Sequence, residues 1–88
     1  MPAANQDKKL IGNVTHYFGK IGVAAIELSD ELRLGDTISF EGATTDFEQK
    51  VESIQIENNP VTEAKRGDAV GMKVKDKVRQ GDRVYRIS

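Results

Sequence analysis

Apolar residues along this chain come in short alternating runs broken by glycine, asparagine and proline, and no stretch sustains a helical period. Leu10 to Phe18 alternates around Leu10, Val14 and Phe18, with Gly12 interrupting the row. Gly19-Lys20 then turns the chain into Ile21–Leu28, whose apolar phase shifts at Ala24-Ala25, the mark of a bulge or of a strand packed on both faces. Ser29 to Gly35 reads as a connection, and Thr37 to Glu41 puts Ile38 and Phe40 on one side. After a polar loop through Thr45, Phe47 to Glu57 reads as one long strand. It carries Val51 on one phase and Ile54 and Ile56 on the other, which a bulge near Ser53 would reconcile. Asn58-Asn59-Pro60 is a stop signal, and Thr62 to Arg66 reads as one helical turn ended by Gly67 in a left-handed conformation. Ala69–Lys75 and Arg83–Ile87 complete about six short strands, which predict an all-β fold, a small barrel or sandwich. The expected domain covers residues 9–88, preceded by a flexible polar tail over residues 1–8.

One punctuation mark recurs in Leu34-Gly35-Asp36, Arg66-Gly67-Asp68 and Gln80-Gly81-Asp82, each preceded by a cation within two residues and followed by a strand. Glycine accepts positive φ and aspartate bonds nearby amides, so Gly-Asp suits a sharp turn before a strand. The unequal spacing makes this local reuse and not a solenoid repeat.

Composition narrows the functional classes. With 88 residues, 38% hydrophobic and 31% charged, the chain is one globular domain burying roughly 64% of its unfolded surface. No apolar run reaches the length of a membrane helix, and Met1-Pro2-Ala3-Ala4-Asn5-Gln6-Asp7-Lys8-Lys9 lacks the apolar stretch of a secretory signal, so a cytoplasmic location is expected. The absence of cysteine excludes disulfides, thiolate metal sites and cysteine catalysis, and a single histidine, His16, leaves little for metal or triad chemistry. The net charge of −1 hides a segregation: residues 27–63 carry −8 and residues 65–88 carry +5. A basic surface can therefore coexist with a mildly acidic whole, unless neighbouring strands pair the two blocks across a sheet.

The order of several phrases is informative. Gly12-Asn13-Val14, Ile21-Gly22-Val23-Ala24 and Leu34-Gly35-Asp36-Thr37-Ile38 open the pattern. Val51-Glu52-Ser53-Ile54-Gln55, Ala64-Lys65-Arg66-Gly67-Asp68-Ala69-Val70-Gly71 and Val78-Arg79-Gln80-Gly81-Asp82 close it. Together, from about Lys9 to Ile87, they resemble the second domain of translational GTPases, the β-barrel that follows the nucleotide domain in elongation factor Tu. A similar barrel closes some enzymes of the collagenase-like peptidase family, several of which act on RNA. The resemblance implies a closed six-stranded Greek-key barrel of translation-factor domain-two type, contacting RNA, ribosomal elements or a larger enzyme. The phosphate loop of a GTPase is missing, so GTP hydrolysis is excluded.

Candidate binding residues follow from the basic block. Lys73, Lys75 and Lys77 alternate and would share the outer face of a strand that continued that far, with Arg79, Arg83 and Arg86 following. Such a row contacts phosphates and makes affinity salt-dependent; the competing reading is a solvated strand face whose lysines discourage edge pairing. Tyr17, opposite Phe18 in strand phase, is the ring placed to stack on an unpaired base. Carboxylates at Glu27, Asp30, Glu31, Asp36, Glu48 and Glu52 read as charged surface, and Ser29, Ser39 and Ser53 have no base partner beyond His16. Gly71-Met72-Lys73-Val74 looks like the biotin- or lipoate-carrying turn of small β-domains, but lies too near the C-terminus for it. The expectation is a non-catalytic, cofactor-free and metal-free binding module associated with translation, docking on structured RNA or a ribosomal surface. The alternative is a protein-interaction subunit acting in trans with a larger RNA-modifying or peptidase-like enzyme. The first predicts a sensitive basic patch, the second an apolar one.

Overall fold

A computed structural model describes residues 8–87. Ten strands follow in order: β1 Lys8–Phe18, β2 Val23–Leu28, β3 Leu32–Arg33, β4 Thr37–Glu41, β5 Asp46–Lys50, β6 Ile54–Ile56, β7 Asn59–Val61, β8 Glu63–Ala64, β9 Ala69–Lys73 and β10 Arg83–Ile87. The fold is all-β, and among the described residues no helix is long and apolar enough to cross a membrane. Eight strands form one antiparallel sheet ordered β5-β4-β10-β1-β2-β9-β6-β7, while β3 and β8 pair separately. The sheet curls around a single core of Ile11, Val14, Ile26, Ile38, Phe40, Ile54, Met72 and Val84, joined by Leu32 from the small sheet. Its radius of gyration, 12.1 Å, is that of a compact domain of this length. Lys8, assigned to the tail on sequence, opens β1 opposite Ile87; the rest of that tail lies outside the described residues.

Several local expectations hold and several are corrected. Ile38 and Phe40 are fully buried on β4, and Phe40 stacks on Phe47, its partner across β5, at 5.0 Å between ring centres. In β1 the core residue is Ile11, not Leu10, because the register shifts between Leu10 and Gly12 and again between Val14 and His16. The second shift lies opposite Ala25-Ile26, so the irregularity read in β2 belongs to its partner strand, and β2 buries Ala24, Ile26 and Leu28 in a single phase. Phe47–Glu57 is not one bulged strand. It breaks at residues 51–53, where the chain passes from one end of the sheet order to the other. The strand does stop before Asn58-Asn59-Pro60, at Ile56, but Asn59-Pro60 itself opens β7, at the sheet's end, where a missing N–H costs no ladder bond. The helical turn expected at Thr62–Arg66 is instead the short strand β8, paired through Leu32–Ala64.

The expected closed six-stranded barrel is also revised. Among the described residues no backbone pairing joins β5 to the β9–β6–β7 side, so the ladder stays open there. A side chain spans the gap instead. The Gln49 amide donates to the Lys73 carbonyl at 2.9 Å and accepts from the Lys75 N–H at 2.9 Å, reproducing the paired bonds of a strand neighbour.

The three Gly-Asp marks form one device used three times. Gly35, Gly67 and Gly81 all adopt φ between 90° and 94°, the third position of a turn that a Cβ would strain. In each, the aspartate carboxylate accepts the N–H of the cation three residues earlier: Arg33 at 3.0 Å, Lys65 at 2.9 Å and Arg79 at 2.8 Å. Each turn also clasps a buried residue. The Gly81 N–H donates to the Val14 carbonyl and the Val14 N–H donates to the Asp82 carbonyl, both at 2.8 Å. Gly67 and Asp68 hold Leu28 in the same way, and Gly35 and Asp36 hold Val51. Only Asp82 among the three aspartates is buried, packed against Gly42. Asp82→Ala is therefore expected to lower the free energy of unfolding by about 1–3 kcal/mol, more than Asp36→Ala or Asp68→Ala. Urea denaturation of the three variants checks this, and equal losses would refute the role of burial.

Candidate interaction surfaces

The structure divides the candidate basic residues among separate places. β9 ends at Lys73, so Lys75 and Lys77 lie in the following loop and the three lysines do not share a strand face. That loop leaves the strand path because Val74 and Val78 both turn into the core, and the Val74 N–H donates to the Gly22 carbonyl. Lys73 and Lys75 line the groove along the open seam together with Lys50, Gln49 and Glu52. The Lys75 ammonium lies 5.9 Å from the centre of the Phe47 ring, within cation–π range.

Lys77 and Arg79 come together with Tyr17 around a second concavity, completed by Thr44, Thr45 and Val78. Tyr17 is half-buried and packs against the core, so one part of its ring is structural. Arg83, on β10 between Asn13 of β1 and Glu41 of β4, shares a further concavity with Arg79, lined also by Glu41 and Asp82. Arg86 is committed elsewhere: its guanidinium donates to the Glu31 carbonyl at 2.6 Å and lies 3.7 Å from the Asp30 carboxylate.

Two ion pairs brace the strands that carry the chain ends. Lys8 on β1 meets Glu41 on β4 at 2.7 Å across β10, and Glu41 also accepts from the Ser39 hydroxyl. The Lys8 hydrogen bond, and secondarily that from Ser39, holds the Glu41 carboxyl below its ordinary 4.5 and raises Lys8 above 10.5. Lys9 meets Asp30 at 2.7 Å. The Lys9 ammonium first, then the Glu31 N–H, holds the Asp30 carboxyl below 3.8. Lys8 and Lys9 lie outside the basic block, so among the described residues Arg86–Asp30 is the one ion pair that joins residues 65–88 to residues 27–63, and the charge segregation is largely left unpaired. His16 is exposed and packs on Phe18 at 5.0 Å, and among the described residues no group of three or more histidines and carboxylates gathers to hold a metal.

One surface escaped the sequence reading. The outward side of β1, β2, β9 and β6 is apolar where Phe18, Ile21, Val23, Ala25, Ala69 and Gly71 come together, bordered by Gln55, Glu57 and Asn58. Phe18 is 46% and Ile21 63% exposed. The sequence carries a signal for it: two large apolar residues, Phe18 and Ile21, flank the Gly19-Lys20 turn, where hairpin tips are ordinarily polar.

The two depressed carboxyls set a pH dependence. A group whose folded pKa lies below its unfolded value contributes stability that is complete above the unfolded pKa and is lost as pH falls through the folded one. The melting temperature is expected to fall as pH drops below about 4.5, and Glu41→Gln should flatten that fall. Thermal melts between neutral and strongly acidic pH test it, an identical pH profile for the variant being the contrary result.

No protein-family model matches the chain. It is 45% identical over 84 residues to an uncharacterized protease of Methanocaldococcus jannaschii, covering 94% of this chain and 21% of that protein. It is 41% identical over 86 residues to a collagenase of Porphyromonas gingivalis, covering 96% of this chain and 21% of the collagenase. The chain therefore spans about a fifth of the length of the curated relatives it matches. Among solved structures it superposes on the C-terminal domain of a protein of Geobacillus thermoleovorans described as a U32 peptidase, with a TM-score of 0.84 and 26% identity, covering 89% of this chain and 91% of that domain. These relatives match the peptidase side of the sequence resemblance, while the elongation-factor side rests on the motifs alone. The chain is thus similar to a C-terminal domain of a U32 peptidase and, across nearly its whole length, to one segment of protease- and collagenase-named proteins.

Proposed function

We propose that this chain is a non-catalytic interaction domain of a peptidase-like protein, docking against a larger body that performs the chemistry. The observation that carries this reading is its 41–45% identity, nearly end to end, to only about a fifth of each protease-like relative. Three of its carboxylates are occupied in structural roles: Glu41 with Lys8, Asp30 with Lys9, and Asp82 within its turn. The reading takes the curled sheet as the six-stranded Greek-key barrel of translation-factor domain-two type, with Gln49 standing in for the closing ladder. It also takes the cytoplasm as the compartment, consistent with a chain without cysteine. The isolated chain is expected to leave collagen intact on a gel assay. The Porphyromonas gingivalis collagenase carrying this chain in place of its matching segment is expected to retain its cleavage. Collagen cleavage by the isolated chain overturns the proposal.

A second reading, docking on structured RNA, has one observation in its favour: Tyr17, Lys77 and Arg79 line one concavity. An aromatic ring and two cations in one concavity are the combination that holds a base and its phosphates. It predicts binding to a labelled RNA hairpin that weakens steeply with salt and is lost in the double variant Lys77→Glu, Arg79→Glu, read by fluorescence anisotropy. Equal binding by the double variant refutes this site.

A further inference from the structure

We infer that the outward face of β1, β2, β9 and β6 is the surface by which this domain docks, and that its occupant is an apolar segment of the peptidase body forming the other four-fifths of the relatives. The inference rests on the interaction-domain reading above and names the surface it uses.

Strand register builds the surface. His16 faces Ala25, Ala25 faces Gly71, and Gly71 faces Gln55, so one row crosses four strands. The two middle members contribute only a methyl group and a hydrogen, which leaves an open trough of about 380 Å³. Phe18 and Val23, paired in the adjacent row, form one wall, and Ile21 overhangs from the hairpin tip. Although 31% of the chain is charged, no lysine or arginine lines the trough itself and Glu57 is the one charged residue of its lining, while the rows on either side carry Lys73 opposite Val23 and Glu27 opposite Ala69. An apolar floor without cations, inside a polar border, is the anatomy of an interface core and not of a solvated sheet face.

The border ends in a tight hairpin. Glu57 and Asn58 form the β6–β7 turn at φ 52° and 67°, both in the left-handed region. Asparagine tolerates that region, whereas glutamate is uncommon there. Both central residues of a two-residue hairpin take positive φ in a type I′ turn, so this conformation follows from the β6–β7 pairing itself. Gly71 lies in the floor of the trough. A Cβ placed on it would meet Val23 at 3.6 Å and the Gln55 carbonyl at 4.0 Å, ordinary contacts, so the fold does not require glycine there. A larger side chain at this position would fill only the trough. The peptidase body is the occupant because the matched segment is about 21% of each of the two relatives. Domains of one chain ordinarily pack through patches of about 600–1,500 Å².

The test uses the Porphyromonas gingivalis collagenase with this chain in place of its matching segment, carrying the photo-cross-linking residue benzoylphenylalanine at Ile21 or, as control, at exposed Glu48 on β5. Cross-links from position 21 to the collagenase body, mapped by mass spectrometry, are expected. Adding Gly71→Val should reduce their yield several-fold while leaving the melting temperature of the isolated chain unchanged. An undiminished yield with Gly71→Val overturns the inference. So do cross-links from position 48 alone, which mean docking by another face and leave the interaction-domain reading standing. Cross-links from position 21 that join two copies of the chimera overturn it in favour of self-association. Absence of cross-links from both positions overturns the inference and the interaction-domain reading together.

Discussion

The reciprocal backbone clasp between a Gly-Asp turn and a buried residue is the interaction on which the rest of this structure depends. A curled sheet this small must turn sharply without leaving amides unpaired, because each orphaned buried group costs about as much as a lost hydrogen bond. The clasp solves both problems in four residues. Glycine supplies the positive φ, the aspartate carboxylate satisfies the N–H at the start of the turn, and the turn's own N–H and carbonyl close on Val14, Leu28 or Val51. These residues belong to β1, to β2 and to the break after β5, so the three turns tie together segments distant in the chain. Asp82 completes its copy while buried, which makes that copy the least tolerant of change.

Once the strands are held this way, a division between the two sides of the sheet follows. Ala24, Ile26, Val70 and Met72 point inward, and their sequence neighbours Val23, Ala25, Ala69 and Gly71 are outward by the same pleat. On most strands outward positions are charged, as with Asp46, Glu48 and Lys50 on β5. On β2 and β9 four of them, Val23, Ala25, Ala69 and Gly71, are small and apolar, with Glu27 and Lys73 at the two ends. The sheet therefore carries two apolar surfaces, one enclosed as the core and one open. Some of the charged residues do structural duty: Lys8 and Glu41 bridge over β10, and Arg86 ties β10 to the β2–β3 connection. Exposed pairs of this kind contribute little individually, about 0–1 kcal/mol.

Similarity to a fifth of several protease-like proteins gives the open surface a context. A domain that lives beside a larger body needs a face that is stable when covered and tolerable when bare. An apolar trough with a polar border meets both demands, since its small floor residues expose little area.

The sequence alone determined what depends on neighbours in the chain. Alternation placed Ile38 and Phe40 in the core, the Gly-Asp pairs announced their turns, and the lack of helical periodicity settled an all-β class, because pleat and turn chemistry act over two to four residues. Only the tertiary structure decided what depends on distant partners. Val51–Ser53 is a break and not a bulge because its two flanks join opposite ends of the sheet order. Ile11 replaces Leu10 in the core because β10 and β2 impose shifted registers on β1. The lysine row dissolves because Val74 and Val78 are drawn into the core. The trough was illegible for the same reason: His16, Ala25, Gly71 and Gln55 become neighbours only through strand pairing, and no local period relates four residues so far apart in the chain.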